Sequence, residues 1–188
     1  MKRKLSILVG IIVVLFILYQ AVKSQYNRLV TLDQRVSEAW SQVENVLQRR
    51  NDLIPGLVAT VKGYAKHEKE LFTEVTRLRS QLSSAGSVSE KAAYSDQLSG
   101  ALGRLLLVVE NYPQLRASEN FLRLQDELAG TENRIAVERK RYNEAAREYN
   151  RTVKSIPIVF FMGMLPFDRE KPYFSATPES ARPARVEF

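Results

Sequence analysis

The residues able to do chemistry in this chain are few. The 188-residue sequence has one histidine, His67, and no cysteine. The lack of cysteine excludes thiol catalysis, structural disulfides and cysteine-ligated zinc. Imidazole is the commonest general base and metal ligand near neutral pH. Because the chain has only one histidine, most hydrolytic and metal-dependent mechanisms are also excluded. We therefore expect no catalytic residues, no metal and no cofactor.

Two specific catalytic arrangements can be compared with the sequence. A di-metal carboxylate bundle needs two Glu-x-x-His pairs on facing helices. Here Tyr64 stands three residues before His67, and there is no second histidine, so we interpret His67 as an exposed helix residue. Glycine-rich phosphate loops are absent, and a serine nucleophile would have to rely on lysine as its base. We expect no small-molecule substrate.

Three charged residues interrupt otherwise apolar helical stripes: Arg50, Glu68 and Glu138. Buried unpaired charges are expensive, so each should form an ion pair, reach solvent or face a functional cleft. An Arg50–Glu138 contact is geometrically reasonable in an antiparallel bundle, although the sequence does not assign partners. Structural pairing and a binding role both stay open for these positions.

The basic residues behind the net charge of +7 are not arranged as in a nucleic-acid binding surface. Lys2, Arg3 and Lys4 precede a hydrophobic run, and removing those three leaves 25 basic against 21 acidic residues. The two signs are mixed along the chain, whereas a nucleic-acid interface would show a contiguous basic stripe. We expect no nucleic-acid partner.

The run Leu5–Val22 is almost purely apolar. Its 18 residues would give a helix of roughly 27 Å, close to the ~30 Å hydrocarbon core of a bilayer. A cleaved signal peptide is the alternative, but Lys23 stands where its cleavage site would need a small residue. The composition therefore favours a transmembrane anchor with the lipid bilayer as its partner.

Orientation follows from the flanking charges. Three basic residues are packed before the apolar run, whereas those after it (Lys23, Arg28 and Arg35) are spread thinly. Positive charge accumulates on the cytoplasmic side of membrane segments. The sequence thus predicts a cytoplasmic N-terminus, with the remaining domain outside a bacterial inner or cytoplasmic membrane.

Beyond the anchor, apolar residues recur every three or four positions, which is typical of long helices packed at shallow angles. Pro55 would cost about 3 kcal/mol inside a helix, and Asn51 or Asp52 could cap a new one. We therefore predict separate helices over about 26–50 and 53–82. The apolar phase runs unbroken across Pro55, so a kinked continuous helix remains the alternative. The stripe is Val36, Trp40, Val43, Leu47, Arg50, Ile54, Leu57, Val61, Tyr64, Glu68, Leu71, Val75, Leu78 and Leu82.

Two further helices complete the predicted domain. Ser87 and Glu90 have the spacing of a capping box that opens a third helix, over about 88–111, and Ser118 is a plausible cap for a fourth, over about 118–154. The predicted stripe of the third helix is Leu98, Leu102, Leu105 and Val109, and that of the fourth is Phe121, Leu124, Leu128, Thr131, Ile135, Glu138, Tyr142, Ala145 and Tyr149. The predicted fold is all-α: an N-terminal transmembrane helix followed by an elongated antiparallel up-and-down four-helix bundle. The predicted divisions are residues 1–22 (anchor), 23–154 (bundle) and 155–188 (tail).

The tail begins with a short apolar segment, Ile156–Phe167, too short to span a bilayer. It could cap the bundle, meet a neighbouring subunit or enter the membrane interface, and Phe160 and Phe161 are its candidate interaction residues. Tyr173–Phe188 is polar and is expected to be loosely held. Trp40 is a further candidate interaction residue, although its place on the stripe favours a core position.

A series of short motifs runs through the chain: Tyr26-Asn27-x-Leu29-Val30, Ala39-Trp40-Ser41-Gln42-Val43-Glu44, Arg49-Arg50-Asn51-Asp52-Leu53-Ile54-Pro55, Val61-Lys62-Gly63-Tyr64-Ala65, Tyr112-Pro113, Asn120-Phe121, Leu124-Gln125, Thr131-Glu132-Asn133-x-Ile135-Ala136, Tyr142-Asn143, Tyr149-Asn150 and Lys171-Pro172-Tyr173-Phe174. This series resembles the LemA family of membrane-anchored bacterial proteins. The resemblance covers the chain from the anchor to about Phe174.

The resemblance implies a single-pass membrane protein with an antiparallel helical bundle, and it implies no activity. Family members are often linked with membrane metalloproteases and small envelope proteins, which suggests assembly partners. We therefore expect a non-catalytic scaffold that binds copies of itself or envelope proteins. A lipid-interface or sensor module that uses residues 156–167 is the alternative. An enzyme or nucleic-acid binder has only basicity and scattered carboxylates in its favour.

Overall fold

The structure is a computed structural model that describes residues 2–65 and 67–175, with side chains from residue 9 onward apart from Leu18. Its described residues form helices and contain no β-strand, which confirms the all-α prediction. The helices are α1 (Lys2–Lys62), α2 (Lys69–Ser84), α3 (Val88–Val109), α4 (Pro113–Arg116), α5 (Glu119–Val153) and α6 (Ile158–Phe161), followed by a 3₁₀ turn at Met162–Met164.

The predicted helix break between residues 50 and 53 is wrong. Helix α1 passes through Pro55 without interruption and ends at Lys62, so neither Asn51 nor Asp52 caps a new helix. The continuous helix, which the unbroken apolar phase had kept open as an alternative, is the one observed.

A hydrogen bond from α2 explains how α1 tolerates Pro55. Proline has no N–H to donate to the carbonyl four residues earlier, which here belongs to Asn51. The Arg79 Nε atom of α2 donates to that Asn51 carbonyl at 2.8 Å. The Asn51 side chain is also held, because its Nδ2 donates to Ser83 Oγ at 2.9 Å. Helix α2 thus replaces the hydrogen bond that Pro55 removes.

The break in the helical path comes later than predicted, between α1 and α2. The backbone N–H groups of Tyr64 and Ala65 donate to the Val61 carbonyl at 3.0 and 2.9 Å and close the end of α1. Gly63, a poor helix former, directly follows the last helical residue. His67 is exposed in this connection and is not the helix residue we expected, and Glu68 precedes α2 instead of interrupting a stripe.

Contacts divide the chain into two units. The anchor unit comprises Met1–Glu38 and Glu144–Lys171, and the bundle unit comprises Ala39–Asn143 and Pro172–Phe188. Helices α1 and α5 therefore contribute to both. This division differs from the predicted one. The predicted tail, residues 155–188, is divided between the two units, and both ends of the predicted bundle, residues 23–154, belong to the anchor unit.

Within the bundle unit, side-chain pairs give the helix directions. Residues later in α1 contact residues later in α3, so these two helices run parallel. Residues later in α3 contact residues earlier in α5, so those two helices run antiparallel. Helix α2 joins α3 through a short turn. This is the up-and-down four-helix arrangement. The pairs are Glu44–Lys91 and Arg50–Ser99 for α1 with α3, Asp96–Arg139 and Ser99–Glu132 for α3 with α5, and Glu74–Arg104 for α2 with α3.

Most predicted stripe positions of the bundle unit form its core. Their burial removes apolar surface from water, which is the main driving force for packing the four helices. The buried members are Val43, Leu47, Ile54, Leu57, Val61, Val75, Leu78, Leu82, Leu98, Leu102, Leu105, Val109, Phe121, Leu128, Ile135 and Tyr142.

The capping box at the start of α3 is confirmed. The Glu90 N–H donates to Ser87 Oγ, and the Ser87 N–H donates to Glu90 Oε2, each at 3.2 Å. The backbone N–H groups of Gly86 and Ser87 hold the pKa of the Glu90 carboxyl below its usual value.

In the anchor unit, the N-terminal part of α1 is apolar and uncovered. The large apolar side chains between Val9 and Ile17 are 50–60% exposed. Among the described residues, α1 is the one helix long and apolar enough to cross a membrane by length and composition.

The role of Arg79 can be tested in the full-length chain in a mild detergent. We expect Arg79→Ala to lower the free energy of unfolding by about 1–2 kcal/mol, because the Asn51 carbonyl then lacks a donor. In a Pro55→Ala background the loss should be clearly smaller, since alanine at that position supplies its own N–H. Thermal unfolding followed by circular dichroism measures both. Arg77→Ala, at an exposed position on the same helix, is the control, and equal losses in the two backgrounds would contradict the assignment.

Candidate functional site

The most deeply buried polar side chain among the described residues of the bundle unit is Arg50, with none of its surface exposed. Its Nη1 donates to Ser99 Oγ at 2.8 Å and to Glu132 Oε1 at 2.9 Å, and its Nη2 donates to Ser95 Oγ at 2.8 Å. The two serines lie one turn apart on α3, and Glu132 lies on α5. One guanidinium of α1 therefore binds two other helices at once.

This cluster supplies most of the partners that a buried charge needs, and within the described residues Arg50 Nε is the guanidinium nitrogen left without a hydrogen-bond partner. The carboxylate of Glu132 neutralises Arg50, and the Ser99 hydroxyl has two acceptors for its one proton, the Ser95 carbonyl at 3.1 Å and the second Glu132 carboxylate oxygen at 3.2 Å. A buried arginine without its counter-charge would be strongly destabilising. Because the hydroxyls and the carboxylate are engaged with one another, the geometry fits a structural lock better than a nucleophile with a free base.

Glu138 is not the partner of Arg50. It pairs instead with Arg141, one turn along the same helix, at 2.8 Å. Glu132 lies earlier on α5, at a position that the stripe analysis had not selected. The structure thus brings Arg50 together with a carboxylate that the sequence did not identify.

Trp40 is half-buried in an aromatic cluster of the bundle unit. Its ring lies 5.2 Å from the Tyr142 ring and 6.2 Å from the Phe174 ring, measured between centroids. The Lys91 ammonium stands 5.7 Å from the Trp40 ring centre, and the Arg139 guanidinium stands 4.4 Å from that of Phe174. These contacts place Trp40 among aromatic rings, while its side chain stays half-buried, between the core position that its stripe favoured and the exposed position that an interaction residue would take.

Phe174 reaches this cluster because α5 clamps the chain at Phe174 and two residues before it. Tyr142 donates its hydroxyl to the Pro172 carbonyl at 2.7 Å. Asn143 accepts from the Phe174 N–H at 2.8 Å and donates to the Phe174 carbonyl at 3.0 Å. The expectation that the chain is loosely held from Tyr173 onward is therefore wrong for Phe174, which is 1% exposed. Residues 176–188 lie outside the described part.

The anchor unit contains an equivalent clamp. Tyr149 donates its hydroxyl to the Asp168 carbonyl at 2.6 Å. Asn150 accepts from the Lys171 N–H at 2.7 Å and donates to the Lys171 carbonyl at 2.9 Å. A Tyr-Asn pair, repeated seven residues apart on α5, thus makes the same two kinds of bond in each unit.

The Lys171 side chain adds an ionic contact in the anchor unit. Its Nζ lies 2.8 Å from Asp33 and 2.7 Å from Asp168. Burial alone would lower the pKa of Lys171, but the hydrogen bonds and charges of the two aspartates outweigh burial and raise it to about 12. Since the folded-state pKa is raised, this stabilisation is complete below the unfolded-state pKa of about 10.4 and is lost as pH rises through about 12.

The apolar tail forms a compact bend, residues 156–165, which we name the elbow. Ile158 and Met162 are buried at 4% and 5% exposure, whereas Phe160 is 73% exposed and Phe161 45%. A groove of about 260 Å³ lies between the elbow and α1 in the anchor unit. It is lined by Val22, Gln25, Tyr26, Leu29, Pro157, Ile158, Phe161, Met164 and Leu165.

Metal binding has no candidate in the described part of the chain. Across residues 2–65 and 67–175, no group of three or more histidine, cysteine, aspartate or glutamate residues could hold a metal ion.

Sequence reasoning missed the clamps although their signal was present. Tyr142-Asn143 and Tyr149-Asn150 repeat at a seven-residue interval, which places both pairs on one face of a helix. Tyrosine and asparagine together offer hydroxyl and amide groups that can bind an extended backbone. The repeat indicated a shared role, but it did not show which segment would be bound.

Comparison with known proteins agrees with the motif series. Residues 39–188 match the model of the LemA family. The chain is 26% identical over 185 residues to magnetosome protein MamQ 2 of Paramagnetospirillum magneticum, and 25% identical over 185 residues to magnetosome protein MamQ of Magnetospirillum gryphiswaldense. Both alignments cover 85% of this chain and 68% of the relative. It is also 24% identical over 149 residues to protein LemA of Metamycoplasma hominis, covering 79% of this chain and 68% of that protein.

The Arg50 cluster predicts a large stability effect from one small substitution. Glu132→Gln should lower the free energy of unfolding by about 3 kcal/mol, because it leaves Arg50 buried without a counter-charge. Glu138→Gln, which removes only a pair on one helix surface, should cost at most about 0.5 kcal/mol. Denaturant unfolding of the detergent-solubilised chain measures both. A larger loss for Glu138→Gln would show that the pairing is wrongly assigned.

The clamp on Phe174 predicts a local change in hydrogen exchange. Asn143→Ala should speed exchange of the Phe174 amide, because this N–H loses its acceptor and the segment can open. Asn133→Ala, at an exposed position on the same helix, should leave that exchange rate unchanged. Amide exchange read by mass spectrometry on peptides that contain Phe174 distinguishes the two. Unchanged protection in Asn143→Ala would rule out the clamp.

Proposed function

The chain belongs to the LemA family, and on that premise we propose that it is a membrane-anchored, non-catalytic scaffold that binds copies of itself or other envelope proteins. One observation carries the proposal: α1 runs unbroken from Lys2 to Lys62. The same helix therefore contains both the exposed apolar run and Arg50, the centre of the bundle's polar cluster.

The exposed apolar run supports anchoring in a bilayer. Side chains between Val9 and Ile17 that are at least half exposed would cost about 25 cal/mol for each Å² left in water. A hydrocarbon environment removes this cost, and the helical backbone leaves no unpaired polar group in the lipid. We propose a bacterial cell membrane as the location, with the N-terminus cytoplasmic and the bundle outside.

The polar core supports a role without catalysis. Both terminal nitrogens of the Arg50 guanidinium are bound to side chains of other helices, and His67 is exposed in the connection between α1 and α2. A core held this way presents a fixed outer surface, which suits a protein that binds other proteins. The proposal includes no cofactor, no nucleic acid and no small-molecule substrate.

A lipid-interface or sensor module is the second candidate function. One observation favours it: the elbow exposes Phe160 and Met164 at 73% and 84%. Exposed apolar clusters of this kind mark sites of protein or membrane interaction. In this function the elbow would bind the membrane interface, and the bundle would signal whether the elbow is bound.

The scaffold proposal is tested on the full-length chain extracted in a mild detergent. Native mass spectrometry should show two or more copies together, or the chain with a second envelope protein. A chain that is monomeric and free of partners after gentle extraction would count against scaffolding.

A site-specific test of the scaffold proposal introduces a single cysteine, which is then the one thiol to be labelled because the sequence contains no other cysteine. Leu107 is the most exposed large apolar side chain among the described residues of the bundle unit, at 64%. A maleimide–benzophenone reagent on Leu107→Cys should capture a neighbouring protein on illumination in native membranes. Gln97→Cys, at an exposed polar position of α3, is the matched control and should capture less. Labelling of Leu107→Cys by a membrane-impermeant maleimide in intact spheroplasts would place the bundle outside, and labelling only after lysis would reverse the orientation.

A further inference from the structure

The elbow divides its apolar side chains between two directions. Ile158 and Met162 are buried and attach the elbow to its own unit. Ile156, Phe160 and Met164 are 78%, 73% and 84% exposed. These three are the most exposed large apolar side chains of the elbow, and leaving them uncovered is costly for a surface that faces water.

The position of the elbow along α1 indicates what covers these side chains. The groove between the elbow and α1 extends along α1 from Val22 to Leu29, and Val22 is the last residue of the apolar run. This stretch of helix rises about 10 Å, comparable with the roughly 5–8 Å depth of one headgroup layer. A helix that leaves the hydrocarbon at Val22 therefore brings the elbow to the membrane surface.

The neighbouring side chains suit the same boundary. Tyr26, which lines the groove, has its ring 5.6 Å from that of Phe167, just beyond the elbow. Aromatic rings concentrate where membrane and water meet. Lys23 and Arg28 are exposed on the same stretch of α1, where cations can meet lipid phosphates.

We propose that the elbow is a second membrane contact, in which Ile156, Phe160 and Met164 enter the bilayer interface at the level where α1 leaves the hydrocarbon. This inference rests on the proposed anchoring of α1 and adds a lipid ligand for a segment outside the spanning helix. A protein partner could also cover an apolar surface. Lipid is favoured because the groove is continuous with the apolar run of α1, and that run already requires hydrocarbon.

The contact has a mechanical consequence for α1. A single helix in a bilayer can tilt and rotate, and interfacial anchors limit both motions. With the elbow inserted beside α1, tilting the helix away from the elbow would lift Phe160 and Met164 out of the lipid. The elbow therefore limits the direction in which α1 can tilt.

The test uses single-cysteine variants of the full-length chain, labelled with a polarity-sensitive nitrobenzoxadiazole probe and reconstituted into phosphatidylethanolamine–phosphatidylglycerol vesicles. Phe160→Cys and Met164→Cys test the elbow, and both positions are exposed, so their substitution leaves the packed residues in place. Ile12→Cys marks the apolar run. Leu107→Cys is the matched control, an apolar residue of similar exposure in the bundle unit.

We expect the emission of the elbow probes to shift to shorter wavelength, with quenching strongest by lipids that carry a quencher near the headgroup. The Ile12 probe should instead be quenched best by lipids with a quencher deep in the acyl chain, and the Leu107 probe by neither. Elbow probes that behave like Leu107 would overturn the inference. A wavelength shift without quenching by either lipid would also overturn it, since it would show cover by protein.

The Ile12 probe separates this inference from the proposed function. If Ile12 is quenched by deep lipids and the elbow probes are not, the anchor stands and only the elbow contact is wrong. If Ile12 itself is not quenched, the anchoring of α1 fails, and the elbow contact fails with it.

Discussion

The arrangement of the bundle depends on one constraint, the burial of a positive charge that water cannot reach. Arg50 has no exposed surface, so its stabilisation must come from hydrogen-bond acceptors and a negative charge inside the protein. Those groups come from two other helices, with Ser95 and Ser99 on α3 and Glu132 on α5. Apolar side chains tolerate small sliding movements between helices, whereas hydrogen bonds of 2.8 Å such as those from Arg50 to the serines do not. The cluster therefore specifies one register among the many that a purely apolar core would allow, in the way that single polar core residues fix register in coiled coils.

The irregular segment after the elbow is also held by polar bonds to a helix. Residues 168–174 form no regular secondary structure, so their backbone groups need partners from elsewhere. Helix α5 supplies them through tyrosine hydroxyls and through asparagine side chains that donate and accept at once. In the bundle unit these bonds place Phe174 against the aromatic ring of Trp40. Polar bonds position the segment, and the buried aromatic ring then contributes most of the apolar contact.

Much of the fold could be predicted from the sequence, because periodic apolar residues report directly on helices and their buried faces. The capping box at Ser87 and the core positions of α3 followed from local spacing alone. The continuity of α1 did not, because the carbonyl freed by Pro55 is satisfied by Arg79, and no local rule connects residues on two different helices. The partner of Arg50 was missed for a similar reason. Several carboxylates on α5 lie within a few turns of one another, and only the packed structure selects Glu132. To predict the clamps, one would have to know which segment packs back against α5 after the helix ends, and the periodicity of apolar residues does not give this.

The exchange of a helical hydrogen bond for one from a neighbouring helix has a consequence for how this family can vary. With proline at position 55, the arginine at position 79 is needed to satisfy the Asn51 carbonyl. In a homologue with another residue in place of that proline, the backbone amide would restore the ordinary helical bond, and selection on the arginine would relax. Homologues that keep the proline should therefore keep the arginine, whereas position 79 is free to vary in homologues without the proline, although the two positions belong to different helices.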